Sequence, residues 1–216
     1  MIKAVIFDMD GVIIDSEIEY IKNVRTLLHG HGVDVPLEEL YYIGGGSGKF
    51  YHENIAKYLQ VSVATAEAYY KQFNIDFPTD FKKLLRPEAV QLIRELKADG
   101  FKLGLASSGT LERIKTKFDQ CQLHDCFDTV VSGTQFKQTK PHPEIFLYTA
   151  QQLMVAPNEC LVIEDSEMGI NGGANAGMFV VALADPRFKF NTKRASKVVR
   201  NLREVSALIK ELNQAA

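Results

Sequence analysis

The chain has 216 residues, 46% of them hydrophobic and 24% charged, and its formal net charge is −2. A chain of this length supports one hydrophobic core with room for a modest insertion, and its near-neutral charge gives no general attraction to nucleic acid or to a membrane. No apolar stretch has the length of a membrane span, and no signal-peptide pattern precedes the first apolar segment. The three cysteines lack a metal-binding spacing. We therefore expect a cytoplasmic protein that binds neither nucleic acid nor membrane.

The first predicted element is a strand over residues 3–7, and two carboxylates follow it directly. The strand is apolar and rich in β-branched residues, as in a buried parallel sheet, and Asp8 and Asp10 come after it with Met9 between them. The carboxyl ends of such strands are where open α/β sheets place their ligands. Two like charges at that separation require a shared proton or a cation. The pair therefore indicates a site for a hard cation such as Mg²⁺, with one carboxylate left for covalent or acid–base chemistry.

The next part of the chain, residues 16–85, has apolar residues at helical spacing and no strand–helix alternation. The pattern predicts helices that begin near Ser16 and Pro36 and helices over 50–59 and 63–73. We interpret this stretch as an all-helical domain, inserted between the first strand and the rest of the sheet.

A glycine-rich segment, Gly44–Lys49, lies inside this helical stretch. It is not a phosphate-binding P-loop, because Phe50 stands where that motif requires Ser or Thr and because no strand precedes it. Two interpretations stay open for it. It is either a flexible turn or a loop that sets substrate specificity, in which Lys49 would reach a distal anionic group of the substrate.

From residue 86 onward, predicted strands and helices alternate. The strands are predicted over 102–106, 129–131, 161–163 and 179–183, and the helices over 87–99, 111–120, 143–154, 168–176 and 202–212. Such alternation is typical of a doubly wound parallel α/β sheet. We therefore predict an α/β core of residues 1–15 and 86–216, with an all-helical domain of residues 16–85 inserted into it.

Polar residues with a common chemistry follow the later strands. Ser107 and Ser108 come after strand 102–106 and, with the backbone amides that open the next helix, form an anion site. Lys140 supplies a positive charge that suits a phosphate. Glu164 and Asp165 follow strand 161–163 and supply further oxygen ligands for a hard cation. Together these residues indicate a phosphate site beside a divalent cation and a nucleophilic carboxylate.

Four motifs in this order resemble those of the haloacid dehalogenase-like (HAD) phosphohydrolases, in the branch that holds β-phosphoglucomutase and the sugar-phosphate phosphatases. The motifs span nearly the whole chain: D-x-D-G-V from Asp8 to Val12, the serine at Ser107, K-P-x-P at Lys140 and E-D-S-x-x-G from Glu164 to Gly169. The resemblance implies a Rossmann-like HAD core with a helical cap that closes over the site, Mg²⁺ as cofactor and an aspartyl-phosphate intermediate.

Roles follow for the individual residues. Asp8 is the expected nucleophile, and Asp10 the expected acid–base group, which protonates the leaving oxygen and then activates water. Ser107, Ser108 and Lys140 are the expected phosphate ligands. The expected metal ligands are Asp8, Asp10 and Asp165, with Glu164 as a direct ligand or as a support for one.

The function expected from this set is Mg²⁺-dependent hydrolysis of a small, sugar-type phosphomonoester by a monomeric enzyme, whose partner is a small phosphorylated metabolite. The first alternative is a β-phosphoglucomutase. The mutases of this branch have D-T-x-x-x-H, whereas Tyr20 stands here in place of that histidine, and a cap arginine of the mutases has at best Lys49 in its place. Tyr20 and Lys49 are therefore the substrate contacts that we expect from the inserted domain. The second alternative, a non-catalytic binding or regulatory module on the same fold, is disfavoured because Asp8, Asp10, Lys140 and Asp165 are all present.

The segment 187–203 carries seven basic residues and no acidic one. We interpret it as a solvated surface of the core, with a binding patch for a polyanion as the alternative.

Overall fold

The computed structural model describes residues 1–46 and 48–214 of the chain. The chain divides into two compact units, one formed by Met1–Ile14 and Phe81–Ala216 and the other by Asp15–Asp80. The second unit is shorter at its end than the helical domain expected from the sequence. Residues 81–85 belong with the sheet, because Phe81 is buried and its backbone N–H donates to Gln120 Oε1 at 2.8 Å. The second unit thus ends at Asp80, whereas the sequence pattern had placed the end of the inserted domain at residue 85.

The first unit contains a parallel sheet of six strands within the described residues, in the order β3-β2-β1-β4-β5-β6. The strands are β1 (Ala4–Phe7), β2 (Lys102–Ser107), β3 (Thr129–Ser132), β4 (Cys160–Glu164), β5 (Phe179–Leu183) and β6 (Lys197–Val199). The chain order reverses on either side of β1, so the carboxyl ends of β1, β2 and β4 lie side by side. This is the position at which doubly wound sheets bind their ligands. The predicted α/β fold class is confirmed.

Helices connect these strands and cover the sheet. The helices of the first unit are α4 (Phe81–Leu84), α5 (Pro87–Ala98), α6 (Leu111–Cys121), α7 (Glu144–Leu153), α8 (Glu167–Asn175) and α9 (Arg203–Gln214). All four residues of β1 are completely buried, which its apolar sequence requires of a central strand.

The last strand, β6, lies within the basic segment 187–203, which the sequence pattern had indicated only as a solvated surface. It pairs in parallel with β5 at the edge of the sheet. Lys197 and Val198 are exposed, whereas Val199 is buried. A three-residue strand with one apolar contact gives too weak a periodicity to predict, and an exposed lysine is common on such edges.

The second unit is helical, with α1 (Glu17–Gly30), a 3₁₀ helix (Leu37–Ile43), α2 (Gly48–Leu59) and α3 (Val63–Asp76). The segment after Pro36, expected to begin an α-helix, is the 3₁₀ helix. Its three residues per turn bring Leu40 and Ile43 to the same side, where both are buried.

Within the described parts of the chain, every helix is too short or too polar to cross a membrane.

Candidate active site

Adjacent strand ends bring the central residues of the site together. Asp8 follows β1 directly, and its backbone N–H donates to the Ile163 carbonyl of β4 at 3.0 Å. Glu164 ends β4, and Asp165 follows it. Because β1 and β4 are hydrogen-bonded neighbours, residues that are more than 150 positions apart in the chain share one small volume at the edge of the sheet.

Lys140 is the positive centre of this volume. Its ammonium donates to Asp8 Oδ1 at 2.5 Å, to Glu164 Oε1 at 2.7 Å and to the Ala106 carbonyl at 2.9 Å. Lys140 is 7% exposed, and its ammonium also lies 5.0 Å from the centre of the Phe146 ring. All three protons of the ammonium therefore have an acceptor, which a buried charge requires.

Burial and neighbouring charge shift the pKa of both partners. Burial raises the pKa of the Asp8 carboxyl to about 7, because the opposing charge of Lys140 does not fully offset the lost hydration and Glu164 adds repulsion. Burial alone would lower the pKa of Lys140, but the charges of Asp8 and Glu164 outweigh it and hold that pKa above its ordinary value. A cation bound beside Asp8 would favour the ionised carboxylate.

Three buried carboxylates form an acidic cluster in this volume: Asp8, Glu164 and Asp165 have ligand oxygens within 4.8 Å of one another. Lys140 contacts two of them, Asp8 and Glu164. Carboxylate oxygens in this arrangement fit a hard divalent cation such as Mg²⁺.

Within the acidic cluster, Glu164 accepts hydrogen bonds at both of its carboxylate oxygens. Glu164 Oε1 accepts from Lys140, and Glu164 Oε2 accepts from the backbone N–H groups of Asp165 and Ser166 at 3.0 and 3.1 Å and from Ser166 Oγ at 3.0 Å. Both oxygens of Glu164 therefore already have donors. This arrangement favours Glu164 as a support for the cluster.

Two glycines make room for these carboxylates. A Cβ atom on Gly11 would lie 1.8 Å from Asp165 Oδ2, and Gly11 also has a φ of +79°, which other residues adopt at a cost. A Cβ atom on Gly169 would lie 1.7 Å from Glu164 Oε1. The glycines of the first and last motifs are thus explained by close approach of a site carboxylate.

The loop after β2, which we expected to bind phosphate, is held by hydrogen bonds within the loop and with Ser132. Ser107 is 1% exposed, and its Oγ accepts from the Gly109 N–H at 3.2 Å. Ser108 is exposed, and the Thr110 side chain caps α6 by accepting from the Arg113 N–H. Ser132, at the end of β3, donates from its Oγ to the Gly109 carbonyl at 2.6 Å. This last contact, which orients the loop, was not predicted from the sequence.

Asp10 has a partner that sequence reasoning missed. Both of its carboxylate oxygens lie 2.6 Å from the ammonium of Lys117, a residue of α6. Across residues 1–46 and 48–214, the Asp10 carboxylate is not among the groups that gather in the acidic cluster. The structure therefore does not bring the Asp10 carboxylate to the metal ligands that we had expected it to join.

The two residues expected to contact substrate in the inserted unit have ordinary contacts there. Tyr20 is 7% exposed and packs edge-on against the Tyr51 ring, with ring centres 6.2 Å apart. Lys49 is largely exposed and lies 3.7 Å from the Glu53 carboxylate.

The glycine-rich segment is tied down by a buried carboxylate that we had not singled out. Glu17 Oε2 accepts from the Gly45 N–H at 2.6 Å and from the Tyr51 hydroxyl at 3.1 Å. Ser47, within the same segment, lies outside the described residues.

Comparison with known proteins agrees with this geometry. A sequence model of the haloacid dehalogenase-like hydrolases matches residues 5–183. The chain belongs to this family. It is 30% identical over 200 residues to the β-phosphoglucomutase of Bacillus subtilis, with 84% of this chain and 83% of that protein covered. It is 29% identical over 178 residues to the phosphorylated carbohydrates phosphatase of Thermotoga maritima, with 82% of each covered.

Among solved structures, the chain is similar to a β-phosphoglucomutase from Clostridium difficile. The TM-score is 0.79 at 27% sequence identity, and the match covers 100% of this chain and 99% of the other. The expected HAD family and the expectation that the chain is an enzyme are therefore confirmed.

Proposed function

We propose that this HAD enzyme is an Mg²⁺-dependent phosphatase that hydrolyses a small, sugar-type phosphomonoester. The observation that carries the proposal is the buried Asp8 carboxylate, which shares one volume with the Lys140 ammonium and the Asp165 carboxylate. A nucleophile, a phosphate-binding cation and a metal ligand are thereby within reach of one phosphoryl group. The expected monomeric state and cytoplasmic location stay predictions.

Asp8 would attack the phosphorus atom of the ester. A bond forms between a carboxylate oxygen and phosphorus, and the bond from phosphorus to the sugar oxygen breaks. Asp10, which contacts the Lys117 ammonium as a carboxylate, would take up a proton from solvent as the ester binds, give that proton to the leaving oxygen, and then accept one from the water that attacks the aspartyl-phosphate. Inorganic phosphate leaves and the Asp8 carboxylate is regenerated.

Substrate binding would use the strand ends around Asp8. Lys140 neutralises one phosphoryl oxygen, and Ser107 and the amides of the loop that follows it donate to the others. Asp8 and Asp165 would hold Mg²⁺, with Glu164 fixing their surroundings. When bound there, the ion supplies further positive charge to the phosphoryl oxygens as negative charge develops on them.

The test is a panel of phosphate esters, with sugar phosphates and an aryl phosphate included, assayed for phosphate release in Mg²⁺ and in EDTA. We expect release in Mg²⁺, loss of release in EDTA, and recovery when Mg²⁺ is restored. Ca²⁺ should substitute poorly, because its looser coordination shell does not keep the in-line geometry. Full activity in EDTA would contradict the metal assignment, and no release from any ester would contradict the phosphatase.

A β-phosphoglucomutase is the second candidate, and the relatives that carry that name support it. A mutase needs a cationic group to hold the non-reacting phosphate of a sugar bisphosphate. In the inserted unit, Tyr20 stands where the mutases have histidine, and its ring packs on Tyr51. Lys49 is on an exposed first turn of α2 beside Glu53. These two residues favour hydrolysis over the second phosphoryl transfer that a mutase has to carry out.

The other alternative, a non-catalytic binding or regulatory module, is disfavoured because Asp8, Asp10, Lys140 and Asp165 are all present.

A further inference from the structure

Lys117 has an environment that a lysine rarely occupies. It is 1% exposed, although it carries a charge. Its ammonium contacts both oxygens of Asp10 at 2.6 Å and lies 5.2 Å from the centre of the Phe81 ring. Taking a lysine charge out of water is unfavourable unless a charged partner is in place. The fold therefore keeps this lysine with the Asp10 carboxylate as its charge partner.

The position of Lys117 on α6 explains how it is buried. Ile114, Phe118 and Cys121 form the buried face of this helix, and Lys117 lies on the same face, three residues after Ile114. An apolar residue is the usual choice at such a position. Lys117 thus occupies a core position of the first unit, and from there its ammonium contacts a carboxylate 107 positions away in the chain.

The same helix also begins the phosphate site. α6 starts at Leu111, directly after the Ser107–Thr110 loop, and Lys117 lies six residues further along, which is about 9 Å at the rise of an α-helix. The first turn of α6 therefore follows the loop that we propose to bind the phosphate. Near its middle, the same helix carries Lys117, which contacts Asp10.

We propose that Lys117 is the positioning residue for Asp10, holding its carboxylate in the one orientation from which it serves the leaving oxygen. The proposal rests on the proposed phosphatase function. One ammonium between the two oxygens restrains the rotation of the Asp10 side chain, and α6 ties that restraint to the phosphate loop. When Lys117 is replaced, the Asp10 carboxylate loses this restraint, and a misplacement of about 1 Å costs a catalytic group up to about 10²-fold in rate.

The experiment compares Lys117→Met with wild type on two substrates, a sugar phosphate and nitrophenyl phosphate. A sugar alkoxide needs a proton in order to leave, whereas nitrophenolate needs almost none. We expect kcat to fall about 10- to 10²-fold on the sugar phosphate and less than about threefold on nitrophenyl phosphate, with KM nearly unchanged on both. Lys115→Met, an exposed position on the same helix, is the matched control and should behave as wild type.

A double-mutant cycle separates positioning from structural support. In an Asp10→Asn background, Lys117→Met should lower kcat on the sugar phosphate by less than about twofold, because the group that Lys117 positions is already lost. A drop equal to that in the wild-type background would overturn the proposal. An equal loss on both substrates would overturn it as well, because a general loss of structure does not depend on the leaving group.

A crystal structure of Lys117→Met decides the geometry independently of any activity. We expect the Asp10 carboxylate to leave its wild-type rotamer while the Ser107–Thr110 loop stays in place. If Asp10 keeps its rotamer, Lys117 is not its positioning residue, whatever the enzyme hydrolyses. If Asp10 moves but wild-type protein releases no phosphate from any ester, the proposed function fails and the positioning of Asp10 stands.

Discussion

The ammonium of Lys140 lies 2.5 Å from a carboxylate oxygen of Asp8, and both residues are 7% exposed. This ion pair joins the end of β1 to the segment that precedes α7, and Glu164 adds a second carboxylate to it. Removing one member of such a buried group leaves charge without compensation, which costs more stability than the intact group contributes. The same residues would thus both stabilise the first unit and carry the chemistry.

The first prediction is that Lys140→Met destabilises the enzyme by about 3–5 kcal/mol in EDTA. Mg²⁺ should recover part of this loss, and it should stabilise the variant more than wild type, because the ion replaces the missing positive charge beside Asp8. Urea unfolding in EDTA and in Mg²⁺ measures both effects. Lys137→Met, an exposed position on the same loop, is the control. Equal stabilisation of both proteins by Mg²⁺ would show that the ion does not replace the charge of Lys140, and no stabilisation of either would argue against a cation site at the acidic cluster.

The second prediction separates the roles of Asp8 and Asp10. Asp8→Asn removes the nucleophile and should leave neither turnover nor a trapped phosphoenzyme. Asp10→Asn keeps the shape of the side chain but loses proton transfer, and should lower the rate by about 10²–10⁴-fold. The loss should be smaller for leaving groups such as nitrophenolate. An active Asp8→Asn variant beside a dead Asp10→Asn variant would show that the roles are reversed.

The third prediction concerns the close approach of Gly11 and Asp165. Gly11 and Gly100 have nearly the same φ, +79° and +82°, but only at Gly11 would a Cβ atom meet a carboxylate. Alanine at either position should cost about 1–2 kcal/mol for its left-handed backbone. Gly11→Ala should in addition raise the Mg²⁺ concentration needed for half-maximal activity, because Asp165 has to move. If Gly100→Ala changes the Mg²⁺ requirement equally, Gly11 has no special relation to the metal ligands.

The fourth prediction distinguishes hydrolysis from isomerisation. With β-glucose 1-phosphate and a trace of glucose 1,6-bisphosphate, the enzyme should release inorganic phosphate or remain inactive, because the inserted unit lacks the histidine and arginine of the mutases. Coupled assays for glucose 6-phosphate and for phosphate measure the two products. Formation of glucose 6-phosphate far faster than phosphate release would favour the mutase. Lys49→Ala should then suppress isomerisation and spare the hydrolysis of aryl phosphates.

The sequence alone was sufficient to predict the α/β core and the strand ends that carry the site. Short apolar runs with a polar group immediately after them are local patterns, and parallel strands present such groups at one edge. Asp8, Lys140, Glu164 and Asp165 were therefore expected near one another before their contacts were seen. The short strand β6 was not predictable, because three residues at a sheet edge leave little periodicity. The end of the inserted unit was not predictable either, because the contact of Phe81 with Gln120 joins residues that are distant in the chain.

Only the tertiary structure decided which buried lysine contacts which carboxylate. The sequence shows Asp10 beside Asp8, but not that Asp10 contacts Lys117 while Asp8 contacts Lys140. A lysine on the apolar face of α6, between Ile114 and Phe118, was the available signal, and helical periodicity alone does not say which distant carboxylate balances it. Local sequence patterns determined the helices, the strands and their order, because such elements depend on residues that are close in the chain. The pairing of buried charges depends on groups that only the packed sheet and α6 bring within 3 Å, and no local pattern records it.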